Sequence, residues 1–158
     1  MIQNNIKNII FDLGGVILNI DYQLTIKAFQ ELGITNFEEI YTQAKQNNVF
    51  DDFETGNLSK DDFVKYLQKA STTPLTESDI IVAWNAMLLD LPKIRLEYLK
   101  ILKQDLNLYL LSNTNKIHVD CFIQSIEKEF GGYWFPEIFD EVYFSNEIGL
   151  RKPNINVF

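Results

Sequence analysis

The stretch Asn8-Ile9-Ile10-Phe11-Asp12-Leu13-Gly14-Gly15-Val16 decides the fold of this chain. Residues 7–12 read as a short, fully buried strand: β-branched, continuous, and bounded by Leu13-Gly14-Gly15. Asp12 closes that run. An acid at the carboxyl end of a buried strand is costly unless it is solvated, paired or bound to a cation. In open α/β sheets, ligands bind in the crevice beyond the strand ends. Taken alone, an Asp that opens a turn and bonds to nearby backbone amides is the simpler reading. Two further segments reverse that preference.

Outward from Asp12, residues 106–111 form a second apolar run that ends at Ser112-Asn113-Thr114, and residues 141–144 form a weaker third that ends at Ser145-Asn146. Each strand thus finishes in small polar residues, as expected if one edge of a sheet carries the chemistry. Pro92 suits a first helical turn, after which Ile94, Tyr98, Ile101 and Leu102 make one apolar stripe. After Asn115, Val119, Phe122, Ile123, Ile126 and Phe130 repeat at helical spacing, and Gly131-Gly132 stops the helix. Strands alternating with helices predict an α/β fold: a Rossmann-like parallel sheet with right-handed crossovers.

Residues 20–90 hold no convincing strand. Helices are expected at about 21–32 (ending at Gly33), 37–48, 60–70 and 77–89, with Ser59/Asp62 and Thr76/Asp79 as variants of a capping box. A simple crossover needs one helix, so 20–90 is expected to be an inserted helical domain, with 1–19 and 91–158 forming the sheet core. The chain stops at Phe158, just after Lys152-Pro153, where another helix would start. A sheet of three strands leaves an apolar edge uncovered, so the expectation is a core that is incomplete at its C-terminal side.

Composition narrows the function. The 158 residues are 46% hydrophobic and 13% aromatic, enough to bury a core, and the net charge of −8 argues against a nucleic-acid partner. A phosphate ligand would then need local help from a metal or a lysine. Cys121 is the single cysteine and cannot form an internal disulfide. The N-terminus Met1-Ile2-Gln3-Asn4-Asn5 is polar, and the apolar stretch 9–20 is broken by Asp12 and two glycines, so neither a membrane span nor a signal segment is expected. A soluble cytoplasmic protein is the expectation. Oligomeric state is not readable.

The three strand ends bring together complementary chemistry. The Asp12 carboxylate can attack phosphorus if a cation screens it from the phosphoryl oxygens. Ser112, Asn113 and their backbone amides could grip those oxygens, and Lys152 could neutralise the transition state. The plainer alternatives are that Ser112-Asn113 cap the next helix, that Lys152 is a solvated loop residue, and that Gly14-Gly15 serve turn geometry. His118 is expected at the surface or half buried. Asp51, Asp52, Glu54, Asp61 and Asp62 are expected to be solvated acids at helix starts. Trp84 is expected in the core of the helical segment, with contact to substrate as the alternative, and Tyr133-Trp134 in packing.

With these segments in order, the chain resembles the haloacid dehalogenase (HAD) superfamily of hydrolases. Ile10-Phe11-Asp12-Leu13-Gly14-Gly15-Val16 resembles its first motif, whose leading Asp is the nucleophile. Leu110-Leu111-Ser112-Asn113-Thr114-Asn115 resembles the second, whose Ser or Thr binds the transferred group. Gly149-Leu150-Arg151-Lys152-Pro153 resembles the third, whose lysine holds nucleophile and phosphate together. Phe50-Asp51-Asp52-Phe53-Glu54-Thr55-Gly56, followed by Phe63, resembles the helical cap of the subgroup that includes bacterial glucose-1-phosphate phosphatases.

The resemblance implies a Mg²⁺-dependent phosphatase of small phosphorylated metabolites, sugar phosphates among them. Its catalytic residues would be Asp12, Ser112 and Lys152. Phosphate would be bound by Gly15, Ser112, Asn113 and Lys152, and the metal by Asp12 and the Gly14 carbonyl. Two departures qualify it. Gly14 stands where the family's phosphatases carry a second Asp as general acid/base, although Asp-x-Gly variants occur in the subgroup. The fourth motif, acids that complete the Mg²⁺ site, would lie beyond Phe158, so little or no turnover is expected of these 158 residues. A metal-free 2-haloacid dehalogenase and a non-catalytic phosphometabolite-binding module remain as alternatives.

Overall fold

A computed structural model describes residues 6–46 and 48–158; the polar segment 1–5 lies outside the described residues, as does Asn47. Three parallel strands, β1 (Asn8–Phe11), β2 (Asn107–Ser112) and β3 (Glu141–Phe144), form one sheet in the order β1-β2-β3. Register pairs Phe11 with Leu110 and Leu110 with Val142, so all strand ends reach one rim.

One face of the sheet is covered. Ile9, Phe11, Leu108, Leu110, Val142 and Phe144 share a cluster with Leu96, Leu99, Val119, Phe122 and Ile126 from the two longer helices that flank β2. The other face is open at its two edges, where Ile10 is 56% and Tyr143 39% exposed, while Leu111 on the central strand is buried. This corrects the expectation of a fully buried first strand. Among the described residues β1 has a neighbour on one side only, and its burial alternates.

Between β1 and β2 lie α1 (Tyr22–Glu31), α2 (Phe37–Gln46), α3 (Val49–Glu54), α4 (Lys60–Ala70), α5 (Glu77–Asn85) and α6 (Lys93–Leu102). The expected helix 37–48 is α2, and α3, which periodicity did not predict, follows it after Asn48, whose backbone is left-handed. Ser59 caps α4, and Thr76 with Asp79 closes a full capping box on α5. The first five of these helices have their own aromatic core, in which Phe29 stacks on Phe37 and Phe53 on Phe63. In α6, Leu96 and Leu99 face the sheet, while the expected stripe residues Ile94, Tyr98 and Ile101 point outward. Both faces of that helix are apolar, so periodicity did not choose between them.

The remaining elements are α7 (Lys116–Phe130), α8 (Phe135–Ile138), α9 (Ser145–Ile148) and a short 3₁₀ turn at Ile155–Val157. Gly131, in a left-handed conformation, ends α7. Trp134 is packed in the sheet cluster and the partly buried Tyr133 packs against it, as expected.

The segments that enter and leave the helical region pair as a narrow ribbon. Asn19 N–H donates to the Asp90 carbonyl at 3.0 Å, Leu89 N–H to Asn19 at 3.0 Å, and Asp21 N–H to Met87 at 2.9 Å. A second tether joins α5 to α7: Ile117 is buried in the helical region's own cluster, beside Trp84. No helix among the described residues is long and apolar enough to cross a membrane.

Candidate active site

A cleft of about 540 Å³ opens where the strand ends meet the helical region. Asp12, Gly14, Ser112, Asn113, Arg151 and Lys152 line one wall; Tyr22, Tyr41, Asp51, Glu54, Trp84 and Met87 line the other. This volume suits a small metabolite.

Asp12 divides its carboxylate between two partners. Oδ1 accepts from Leu13 N–H at 2.8 Å, and Oδ2 lies 2.8 Å from the Lys152 ammonium. The turn reading and the site reading therefore hold together in one side chain. Lys152 also donates to the Leu111 carbonyl at 2.8 Å, so its ammonium spans the ends of β1 and β2. Ser112 is buried, and its hydroxyl makes only a long 3.5 Å contact with the Asn113 carbonyl, leaving it available at the cleft.

Two paired contacts lock the loop after β2 to the loop after β3. Asn113 Nδ2 donates to the Lys152 carbonyl at 2.9 Å, while Lys152 N–H donates to Asn113 Oδ1 at 2.8 Å. Thr114 N–H donates to the Ser145 hydroxyl, which donates back to the Thr114 carbonyl, both at 2.9 Å. Neither Ser112 nor Asn113 caps α7. Asn115 does, its Oδ1 accepting from His118 N–H at 3.1 Å.

Gly15 departs from expectation. It does not line the cleft, and its N–H is spent on the Leu18 carbonyl at 2.8 Å, because it turns back in a left-handed conformation. The Gly15 amide itself is thus committed within the turn.

His118 is buried, not at the surface. Nε2 lies 3.1 Å from the Trp84 carbonyl and Nδ1 3.1 Å from Asn115 Nδ2. A carbonyl can only accept and an amide nitrogen only donate, so the proton sits on Nε2. The Trp84 ring stacks on the imidazole at 5.2 Å. Burial pushes the imidazole down to about 4. With both nitrogens committed, it is a structural group joining α5 to α7.

The acids of α3 are not all solvated. Asp51 and Glu54 reach across the cleft to Arg151, Glu54 Oε2 lying 3.0 Å from Nε, while Asp51 pairs with Nη1. Only Asp52, Asp61 and Asp62 keep exposed positions. Sequence reading passed over Arg151, and the one signal for it was its place beside Lys152. Burial and the nearby Glu54 and Asp12 raise the Tyr22 phenol, and burial with Tyr22 and Glu54 raises that of Tyr41, so both stay protonated at neutral pH.

Hard oxygen donors for a cation are few. The Asp12 carboxylate and the Gly14 backbone belong to the cleft wall, and no group of three or more His, Cys, Asp or Glu side chains could hold a metal among the described residues. That donor set fits Mg²⁺, which keeps several waters and takes one or two carboxylates together with substrate phosphate.

No protein-family model matches the chain. It is 33% identical over 153 residues to the D-ribitol-5-phosphate phosphatase of Bacteroides thetaiotaomicron, an alignment spanning 97% of this chain and 74% of that protein. Its structure matches that of a HAD family enzyme from the same organism, in complex with magnesium and inorganic phosphate. The TM-score is 0.82 at 30% identity, over 96% of this chain and 75% of the other. It matches a HAD-like family hydrolase of Porphyromonas gingivalis with a TM-score of 0.82 at 31% identity, over 97% and 73%.

Proposed function

The chain belongs to the haloacid dehalogenase superfamily of hydrolases, and from that premise we propose that it is a Mg²⁺-dependent phosphatase of small phosphorylated metabolites, sugar or sugar-alcohol phosphates in particular. The observation that carries this reading is the Lys152 ammonium, set 2.8 Å from Asp12 Oδ2 beside a buried Ser112 hydroxyl. An acid, a hydroxyl and a cation at one mouth are what phosphoryl transfer to a carboxylate requires. The relatives' reported ligand and activity support the same chemistry. We read residues 1–19 and 91–158 as the core and 20–90 as the cap.

In this reading Asp12 attacks phosphorus, forming an Asp–O–P bond as the bond to the leaving oxygen breaks. Ser112 and the backbone of the Asn113 turn hold the phosphoryl oxygens, and Lys152 offsets the charge that builds on them. Water then attacks the phosphorus, the Asp12–O–P bond breaks, and phosphate leaves. Mg²⁺, held by the Asp12 carboxylate and the Gly14 carbonyl, would supply further charge neutralisation at the phosphoryl oxygens. No side chain at Gly14 can give the leaving alkoxide its proton, so solvent or a substrate hydroxyl must. That loss is worth ~10²–10⁴ in rate. That missing proton donor makes slow turnover the property we assign to this chain.

Hydrolysis of an alkyl phosphate, such as a sugar-alcohol phosphate, at high protein concentration tests the reading. Slow, Mg²⁺-dependent phosphate release that Asp12→Asn abolishes supports it, whereas ordinary enzyme rates would refute slow turnover. Metal-independent chloride release from a 2-chloroalkanoate would assign the dehalogenase chemistry instead. Phosphate-ester binding that is indifferent to Asp12, without turnover, would assign a binding module.

A further inference from the structure

Arg151 and Lys152 are consecutive, yet they serve opposite walls. Lys152 is fastened to the sheet by its amide on Asn113, its ammonium on the Leu111 carbonyl and its pairing with Asp12. Arg151 is fastened to α3 by Asp51 and Glu54. Both guanidinium contacts are partly withdrawn from water, the Arg151 and Glu54 side chains being 29% and 25% exposed. The turn after α3 sits equally close to the sheet core: a Cβ on Gly56 would collide with the backbone carbonyl of Asn146 in α9. The helical region thus rests on the loop after β3 at two adjacent points, one steric and one ionic.

We propose that Arg151 is a positioning residue: the clamp of Asp51 and Glu54 on its guanidinium fixes the 149–153 loop, so docking of the helical region and seating of Lys152 against Asp12 are one event. Arg151 is not offered as a phosphate ligand, since two carboxylates already meet its charge. A lone exposed ion pair would do little. Here two share one guanidinium, and the adjoining peptide carries the hydrogen bond that holds Lys152. Phosphate as the ligand of that site rests on the function proposed above.

The test has two arms on the 158-residue chain. In the ligand-free arm, hydrogen exchange at the Lys152 amide is compared with that at Leu108 and Leu110 in β2. Arg151→Ala and the pair Asp51→Asn/Glu54→Gln should speed exchange at Lys152 by about tenfold while β2 stays protected, and Arg151→Lys should recover part of the protection. Unchanged Lys152 exchange in variants that keep β2 protected overturns the proposal. If Arg151→Ala loses β2 protection, the Asp51/Glu54 pair, which leaves Arg151 in place, decides.

In the second arm, orthovanadate is titrated with Mg²⁺. Arg151→Ala should weaken binding roughly tenfold, as is typical of coupled sites, and that loss should vanish in a Lys152→Ala background. Additive losses would mean that Arg151 touches the anion itself and would overturn the positioning role. Should the wild-type chain bind no orthovanadate, the phosphatase reading falls, and the exchange arm still decides the role of Arg151.

Discussion

The Asn113 carboxamide and the Lys152 peptide close on each other through two hydrogen bonds, Oδ1 accepting from Lys152 N–H at 2.8 Å and Nδ2 donating to its carbonyl at 2.9 Å. Residues from two separate strand ends thereby share one rigid frame. The frame fixes where the Lys152 ammonium falls relative to Asp12 and Ser112, and it uses a carboxamide, whose adjacent acceptor oxygen and donor nitrogen match the donor and acceptor of one peptide residue.

Asn113→Ala removes both bonds. Each is worth about 0.5–1.5 kcal/mol net, so the variant should lose about 1–3 kcal/mol of unfolding free energy and bind orthovanadate more weakly. Urea denaturation together with the titration checks this. Unchanged affinity in a folded variant would show that the frame does not serve the anion site.

Gly14→Asp should raise turnover. The backbone there is not left-handed, and a Cβ would meet only the flexible end of Ile20, at 3.2 Å. A carboxyl at this place could protonate a leaving alkoxide, so an alkyl phosphate should gain more than p-nitrophenyl phosphate, whose leaving group needs no proton. The gain for the alkyl ester should reach ~10²-fold, and equal gains for the two substrates would contradict the assigned defect.

His118 makes stability depend on pH. Its folded value of about 4 lies below the ordinary 6.5, so the unfolded chain binds the proton more tightly. Stability is therefore full above the ordinary value and falls as pH drops towards the folded one. Between about pH 7 and about pH 5 the loss should be ~2 kcal/mol. Urea denaturation of wild type and His118→Gln at both pH values should show this extra loss only in wild type.

Thr76→Ala should cost about 1 kcal/mol by opening the capping box on α5, without changing orthovanadate affinity, since Thr76 does not line the cleft. An affinity change would show that α5 transmits strain to the site.

Much of this was legible in the sequence, for identifiable reasons. The strand ends could be found because apolar runs stop abruptly at Asp12, Ser112 and Ser145, and the α7 stripe because its residues repeat on one face only. The outward turn of Ile94, Tyr98 and Ile101 could not be foreseen, since Leu96 and Leu99 offer an equally apolar face. The left-handed backbone at Asn48, ahead of α3, is one angle that no periodicity reports. The burial of His118 and the pairing of Arg151 with Asp51 and Glu54 follow from how the helical region packs on the sheet. Local sequence carries no record of that contact. The family resemblance implies Gly15 as a phosphate ligand, whereas its amide bonds to the Leu18 carbonyl three residues on.

The most direct test of the account is ¹⁹F NMR of the chain with Mg²⁺ and beryllofluoride, which mimics a phosphoryl group on a carboxylate. The account predicts bound-fluoride resonances in the wild type that disappear in Asp12→Asn and weaken in Lys152→Ala. The same resonances persisting in Asp12→Asn would contradict it, because the phosphoryl mimic would then be held without the carboxylate on which the chemistry is built.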